Sequence, residues 1–435
     1  MREYRIVSAC LVAHAQSGLN LLYIHERFGA LAGAEANVLI TATELSARGH
    51  RVGILHGPST GKNEQGWKNV FKFREPLDAR TLPNNVEAFR PDAFFIHKTS
   101  ELPVLEAVSK SGVPVARMVH DHDIYCMRSY KYGVLSRKIC ERAASAFCVF
   151  GCGAFVTRNH GRGLPVKFVS LRDKLREIEI NRGFDRMCVV TTFMRDELLK
   201  NGFSPERIEI HPPVPRPGDA TIRSSFSDRN LIIYAGQIIR GKGVDVLIEA
   251  LARVKEPFEC IILGDGSHKA YCEKLTRKLG LEGKVKFLGF VPQEELKRYY
   301  RECSVVAISS VWPEPIATIG LEVMRYALPV VAFDAGGIKD WLKDGYNGYL
   351  IPWMDRNAFA AGIDDLLRDK AKARQMGENG LALVSEQYDF GKYVAGLESM
   401  FRRIIAARKS KVDAVKFSDG VPTSAGITAQ LENAV

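Results

Sequence analysis

The sequence predicts an α/β chain of two domains, each built on a parallel sheet, and three observations predict it. Short β-branched runs alternate with segments of helical apolar spacing nearly throughout, the pattern of βαβ units. At 435 residues the chain is too long for one ordinary core, so two domains of similar size are expected. The run Pro212-Pro213-Val214-Pro215-Arg216-Pro217 then breaks the alternation, and a polar stretch follows to Asn230. Proline at this density neither continues a ladder nor propagates a helix. The boundary is set there: residues 1–212, residues 213–385, a final helix over 386–408, and a tail over 409–435 whose weak periodicity reads as disordered.

In the first half, Leu19 to Ile24 reads as the opening strand, residues 29–33 as a flexible loop, and Ala34 to Ala47 as a helix with Val38, Leu39, Ala42 and Leu45 on its apolar face. Gly49 and His50 end that helix, and Arg51 to Leu55 is the next strand. Later strands are Ala93–Ile96, Val113–Val119 and Met187–Thr191. The second half restarts at Leu231–Ala235, with strands at Cys260–Leu263, Val285–Leu288, Val305–Ile308 and Pro329–Ala332 and helices between them. Tyr388 to Arg408 has the spacing of an amphipathic helix, with Phe390, Val394, Leu397, Met400, Phe401 and Ile404 on one face. No internal repeat is present.

Composition narrows the class. Apolar content of 46% and charged content of 26% describe a globular protein. The net charge of +11 calls for an anionic partner: a diphosphate ligand, an anionic lipid surface or nucleic acid. The chain carries no RNA-binding fingerprint, zinc-finger spacing or basic-zipper heptad, so no nucleic-acid partner is expected. No apolar run reaches the ~18 residues a spanning helix needs, and the N-terminus lacks a signal-peptide core. Nine scattered cysteines, an odd number, fit a reducing cytoplasm better than a disulfide framework.

Four loops of the second half follow predicted strands, where open α/β sheets bind ligands. The first, Gly236 to Gly243, carries Arg240 and Lys242; glycine lets a backbone approach a ligand closely, and two cations can neutralise a diphosphate. The second is Gly264-Asp265-Gly266, a common connector when taken alone. The third is Gly289-Phe290-Val291-Pro292, where Phe290 and the Val291 backbone can flank a base. The fourth runs from Pro313 to Glu322. It places Glu314 in a turn and Glu322 on the helix that this turn opens, with Ala317-Thr318-Ile319 at the helix start offering N–H groups to phosphate. Any one has an ordinary structural reading, but all four in order are much rarer.

That ordered set resembles the retaining, nucleotide-sugar-dependent glycosyltransferases of family four. The resemblance spans nearly the whole chain and is most specific over residues 234–352. It rests on the E-x7-E pair Glu314 and Glu322, the glycine-and-cation loop, Pro329-Val330-Val331-Ala332 with Gly336-Gly337, and Ala32-Gly33-Ala34-Glu35 before the first helix. Two departures are Gln237, where the family usually has Arg, and Ala32 in place of glycine. The resemblance implies the GT-B architecture: two Rossmann-like, doubly wound α/β domains facing across a cleft. It implies that Lys242 with Arg240 stabilises the departing diphosphate, Glu314 holds donor-sugar hydroxyls, Glu322 holds the ribose, and Gly236, Gly264, Val291, Ala317, Thr318, Ile319 and Gly33 line the donor site. It implies a nucleotide-diphosphate sugar as donor substrate, no further cofactor, and a saccharide or lipid-linked acceptor in polysaccharide or glycolipid assembly. The site is then cytoplasmic, with peripheral contact at the inner membrane face. The two glutamates are not read as the acid and nucleophile of a glycoside hydrolase, because the cations already neutralise the leaving group.

In the first half, His120 ends a strand and should face the cleft; the resemblance places a catalytic-pocket histidine there. Asp121, His122 and Asp123 extend a polar cluster suited to the acceptor. Cys126, Cys140, Cys148 and Cys152 follow, readable as buried apolar residues or as zinc ligands; no metal residue is assigned. Lys167, Arg172, Lys174, Arg176, Arg182 and Arg186 interleave with apolar residues, either as the solvated face of a surface helix or as a contact with anionic lipid. The competing functional readings are a nucleotide-sugar epimerase of the same fold and a non-catalytic anion- or nucleic-acid-binding protein.

Overall fold

A computed structural model of the chain describes residues 18–29, 33–133, 136–158, 166–214 and 223–418. Ala32, the Pro215–Pro217 part of the proline run and the tail beyond Ser418 lie outside the described residues.

The first domain begins β1 (Asn20–His25), α1 (Ala34–Ala47), β2 (Arg51–His56), α2 (Glu64–Val70), β3 (Phe73–Pro76), α3 (Leu82–Phe89), β4 (Ala93–Lys98), α4 (Leu102–Lys110) and β5 (Val115–Val119). An excursion follows, with the single turn α5 (Phe147–Phe150) and the antiparallel pair β6 (Val156–Arg158) and β7 (Val166–Phe168). The chain rejoins the domain through α6 (Leu171–Arg182), β8 (Arg186–Val189), α7 (Thr192–Lys200) and β9 (Ile208–Ile210). The seven parallel strands are ordered β3-β2-β1-β4-β5-β8-β9. Leu21, Leu22, Tyr23 and Ile24 of β1 are all fully buried, as a strand covered on both faces requires.

The second domain repeats the plan: β10 (Leu231–Ala235), α8 (Val244–Leu251), β11 (Glu259–Leu263), α9 (Lys269–Lys278), β12 (Val285–Gly289), α10 (Gln293–Tyr300), β13 (Cys303–Ile308), α11 (Thr318–Met324), β14 (Val330–Phe333), β15 (Gly348–Ile351), α12 (Arg356–Arg368) and α13 (Lys370–Gln387). Its six parallel strands run β12-β11-β10-β13-β14-β15. Both sheets reverse winding direction beside their first strand, so a crevice opens at the carboxyl ends of β1 and β4 and of β10 and β13. These are two Rossmann-like domains, as expected.

The last helix, α14 (Phe390–Ser418), lies against the first domain. Tyr393 bonds Asn37 at 3.1 Å, Phe401 meets Phe95 edge-on at 5.1 Å, and Arg403 pairs with Glu209 at 2.7 Å. The helix corrects the expected end at Arg408, because it continues for ten residues to Ser418. Residues 409–418 contain neither glycine nor proline, so nothing in them stops a helix; the first breaker is Gly420.

Candidate functional site

The glycines after β10 and β11 let one loop lie directly on the next. Gly243 caps α8 in the left-handed region (φ 64°), and a Cβ there would sit 2.0 Å from the Ser309 carbonyl oxygen. A Cβ on Gly264 would meet the Gly236 carbonyl at 1.8 Å. Backbone bonds lace the loops: Gly236 N to Leu263 O (2.9 Å), Ile238 N to Asp265 O (2.9 Å) and Gly264 N to Gly289 O (2.7 Å). The loop carrying Arg240 and Lys242 is further tied to the segment after β13, whose Val311 and Trp312 amides both donate to Gly241 O.

That arrangement brings Lys242 onto Glu314, at 2.6 Å. Glu314 is 3% exposed and also accepts from Trp312 Nε1 at 2.8 Å and from the Ser310 hydroxyl, all on Oε1. Burial pushes its pKa up, but Lys242 and these donors win and hold it below the ordinary carboxylate value, so it is an anion at neutral pH. Trp312 packs its ring against the Lys242 ammonium at 5.2 Å. Sequence reasoning missed Trp312 and Ser310; the available signal was a polar-aromatic run directly ahead of the Pro313 turn. Glu322 behaves differently: burial alone lifts its pKa to about 7. Ala317, the N-cap of α11, holds a left-handed conformation (φ 55°, ψ 67°) that L residues adopt only at a cost of about 1–2 kcal/mol. Thr318 and Ile319 are the first two residues of that helix. Val291 is half-buried and Phe290 is 77% exposed.

On the opposite wall, Gly33 (φ 69°) opens α1, and His120 follows β5 directly. The His120 Nε2 lies 2.9 Å from Nδ1 of His97, a residue of β4. The predicted strand stopped at Ile96, so the two residues that β4 adds, His97 and Lys98, were overlooked. Lys98 bonds Asp121 at 3.0 Å and Asp123 at 2.9 Å, and approaches Glu26 at 3.8 Å. Burial drives the His120 pKa down to about 3, helped by the charges of His25 and Lys98, so the ring is neutral.

His122 does not join the acceptor cluster as expected. It is fully buried; its Nε2 lies 2.7 Å from the Pro313 carbonyl and its Nδ1 2.7 Å from the Tyr125 hydroxyl. A carbonyl only accepts, so Nε2 carries the proton and the ring bridges the two domains beside Glu314. Three further ties cross the interface. Thr191 Oγ1 donates to Pro315 O (2.8 Å), Thr192 bonds Asp340 through N and Oγ1 (2.6 and 2.7 Å), and Arg137 grips Asp245 in a bidentate pair (2.7 and 3.2 Å). These contacts set the His120 strand end beside the segment that carries Glu314.

Residues 31–214 match the family described as Glycosyltransferase Family 4, and residues 219–382 match Glycosyl transferases group 1. The chain is a family-4-type glycosyltransferase of GT-B architecture. It is 25% identical over 291 residues to an uncharacterized glycosyltransferase of Methanocaldococcus jannaschii, covering 64% of this chain and 73% of that one. It is 29% identical over 154 residues to the lipopolysaccharide core biosynthesis glycosyltransferase LpsE of Rhizobium meliloti, covering 35% of this chain and 44% of that protein. The chain thus spans less than half the length of this second relative. Its fold is similar to that of Anabaena HepE, solved with UDP and glucose, at a TM-score of 0.65 and 19% identity over 88% of this chain and 99% of that one.

The remaining sequence candidates are less engaged. Cys126, Cys140, Cys148 and Cys152 are unpaired and half-buried, and no group of three or more His, Cys, Asp or Glu among the described residues is arranged to hold a metal. Of the basic segment, Lys174, Arg176 and Arg182 lie on α6 and Arg186 on β8, and these four are committed to the protein, whereas Arg172 is exposed on α6 and Lys167 lies in β7. Lys174 is buried on Glu177, Arg176 pairs with Glu106 and Glu179, Arg182 bonds Asn201 O, and Arg186 pairs with Glu209. Exposed apolar surface lies instead on the neighbouring excursion, where Phe150 is 88% and Phe168 82% exposed. No helix among the described residues is long and apolar enough to cross a membrane.

Proposed function

We propose that this glycosyltransferase moves a hexosyl group, with retention, from a nucleotide-diphosphate sugar to a saccharide or lipid-linked acceptor in polysaccharide or glycolipid assembly. The observation that carries the reading is the Lys242–Glu314 pair, held by Trp312 and Ser310 at the switch point of the second sheet. In this reading Lys242 and Arg240 meet the diphosphate, and the loop amides at Gly236, Gly264 and Ala317 to Ile319 approach its oxygens. Glu314 spends Oε1 on protein donors, which leaves Oε2 to accept from sugar hydroxyls. Glu322, raised by burial, gains strong hydrogen bonds from a ribose diol. Val291 borders the base, and Gly33 and His120 close on the sugar from the other wall. Charge grows on the diphosphate as the glycosidic bond breaks, and cations and amides already in place stabilise that state more than the ground state. The neutral His120 acts as a polar contact and not as a proton source.

A thermal-shift panel of nucleoside diphosphates and their sugars tests the donor class, and the anomeric configuration of the product, read by NMR, tests retention. No shift with any nucleotide would end the reading. Peripheral membrane contact is assigned to the excursion and the start of α6, not to the committed cations Lys174, Arg176, Arg182 and Arg186. There Phe150 and Phe168 stand exposed, and the sequence from Lys138 to Arg172 has six cations (Lys138, Arg142, Arg158, Arg162, Lys167, Arg172) against the single acid Glu141. In this reading the enzyme is cytoplasmic and works on a membrane-held acceptor.

A further inference from the structure

Behind His120 lies a polar side chain that the proposed mechanism leaves unused. His97 is 3% exposed in the middle of the first sheet, and its ring is flanked by Tyr23 and Phe95 at 5.2 and 4.2 Å between centroids. An imidazole is costly to bury without partners. Its Nδ1 faces His120 Nε2 at 2.9 Å, and the two rings are 5.2 Å apart and within 18° of coplanar. They therefore meet edge to edge, as a straight N–H···N bond requires.

Both rings are held neutral by burial, so one hydrogen lies between them. Which ring owns it follows from the far side of His97, where Nε2 is buried without a partner among the described residues. If His120 donated, His97 would carry its own proton on that Nε2, and an N–H buried without an acceptor gives up its hydrogen bond to water with nothing in return. If His97 Nδ1 donates, the buried Nε2 is only a bare lone pair, and His120 must carry its proton on Nδ1.

We propose that His97 is a positioning residue for the transfer: its hydrogen bond fixes His120 as the tautomer protonated on Nδ1, so that His120 meets the donor sugar as a neutral hydrogen-bond donor. This rests on the reading of His120 as a residue of the sugar pocket. His25, the other histidine on this face, has Nδ1 at 3.1 Å from the Arg27 carbonyl and does not share the proton.

The test uses the full chain with ring-nitrogen NMR and steady-state kinetics. Wild type should show His120 protonated on Nδ1 and bare on Nε2. His97→Phe, which keeps a flat ring but no donor, should move the His120 proton toward Nε2 and lower kcat by about 10- to 100-fold, with KM for the donor changed by less than about twofold. His97→Asn places an amide N–H where Nδ1 stands and should retain both the tautomer and most of kcat. Should the Phe variant fail to melt cooperatively, His97→Gln serves, because its amide is displaced along the side chain and should behave as a loss. A wild-type His120 protonated on Nε2 overturns the proposal, as does a folded Phe or Gln variant with unchanged kcat while His120→Ala is inactive. Full turnover in His120→Ala would instead overturn the reading on which it rests.

Discussion

In the second domain the groups facing the cleft are largely main chain. The loops after β10, β11 and β12 are bonded to one another through backbone amides, and glycine is required because a Cβ at Gly243 or Gly264 would stand about 2 Å from a carbonyl oxygen. In the first domain they are side chains at strand ends, held by other side chains: His120 by His97, and Asp121 and Asp123 by Lys98. A diphosphate is the same in every nucleotide sugar, so in the proposed reading a fixed lattice of amides with Lys242 and Arg240 can serve any of them. Acceptors differ, and if the first domain binds the acceptor, as proposed, its wall of side chains can be altered one residue at a time without disturbing the backbone. Breaking the contact that joins the two walls should have the largest effect.

Arg137 and Asp245 form a bidentate ion pair, both nearly buried, between the first domain and the first turn of α8. Among the described residues, Arg137→Ala leaves Asp245 with only the His268 ring, 3.7 Å away, which should cost about 3–5 kcal/mol of stability by denaturant unfolding. The double variant Arg137→Met, Asp245→Leu should recover most of it. An unchanged midpoint in the single variant would mean that the two walls do not depend on this tie.

The next effect falls on the donor wall. Glu314→Ala removes the anion that fixes Lys242 and, in the proposed reading, the acceptor for sugar hydroxyls. Turnover should drop by about 10²- to 10³-fold, while the thermal shift given by the nucleoside diphosphate alone survives. Lys242→Met should lose both, because in the proposed reading its charge meets the diphosphate itself. Equal loss of nucleotide binding in the two variants would blur the division between sugar and phosphate contacts.

Glu322 gives a pH signature. Its folded pKa, about 7, lies above the unfolded value, so the native state binds the extra proton and stability falls as pH rises from about 4.5 to 7. The loss attributable to this group is about 3 kcal/mol, and Glu322→Gln should abolish it. Ribose hydroxyls donating to the carboxylate would lower that pKa, so nucleotide affinity should rise with pH through 7 in the native protein and not in the Gln variant. A flat pH dependence of affinity would remove Glu322 from the ribose site.

The contrast between the two walls also explains what could be read from the sequence. Gly236 to Gly243 and the Glu314–Glu322 spacing are local, since the constraint and the residues that meet it are neighbours in the chain. Helix α1 matches its predicted limits of Ala34 and Ala47 because apolar spacing and Gly49 are local as well. His97 with His120, and His122 with the Pro313 carbonyl, are 23 and 191 residues apart; no short-range pattern encodes either pair. The basic helix misled for a related reason. Charge spacing gives the face of a helix, whereas Glu106, which pairs with Arg176, comes from a distant segment, and Arg186 stands on β8, paired with Glu209.

The smallest effect belongs to the exposed excursion. Phe150 and Phe168 are so accessible that replacing either with Ser removes little packing, so melting and turnover on a water-soluble acceptor should not change. Partition onto anionic vesicles should fall, because each exposed ring buried at the headgroup boundary contributes about 1.5–3 kcal/mol at most, beside about 1 kcal/mol per nearby cation. Each Ser variant should therefore weaken co-sedimentation by about tenfold at low salt, a loss of about 1.4 kcal/mol. Salt should weaken the native protein and both variants alike, since screening acts on the cations and not on the rings. Native binding to neutral and anionic vesicles alike, or Ser variants that bind as well as native protein, would return this surface to ordinary solvent-exposed chain and leave the acceptor wall without a membrane partner.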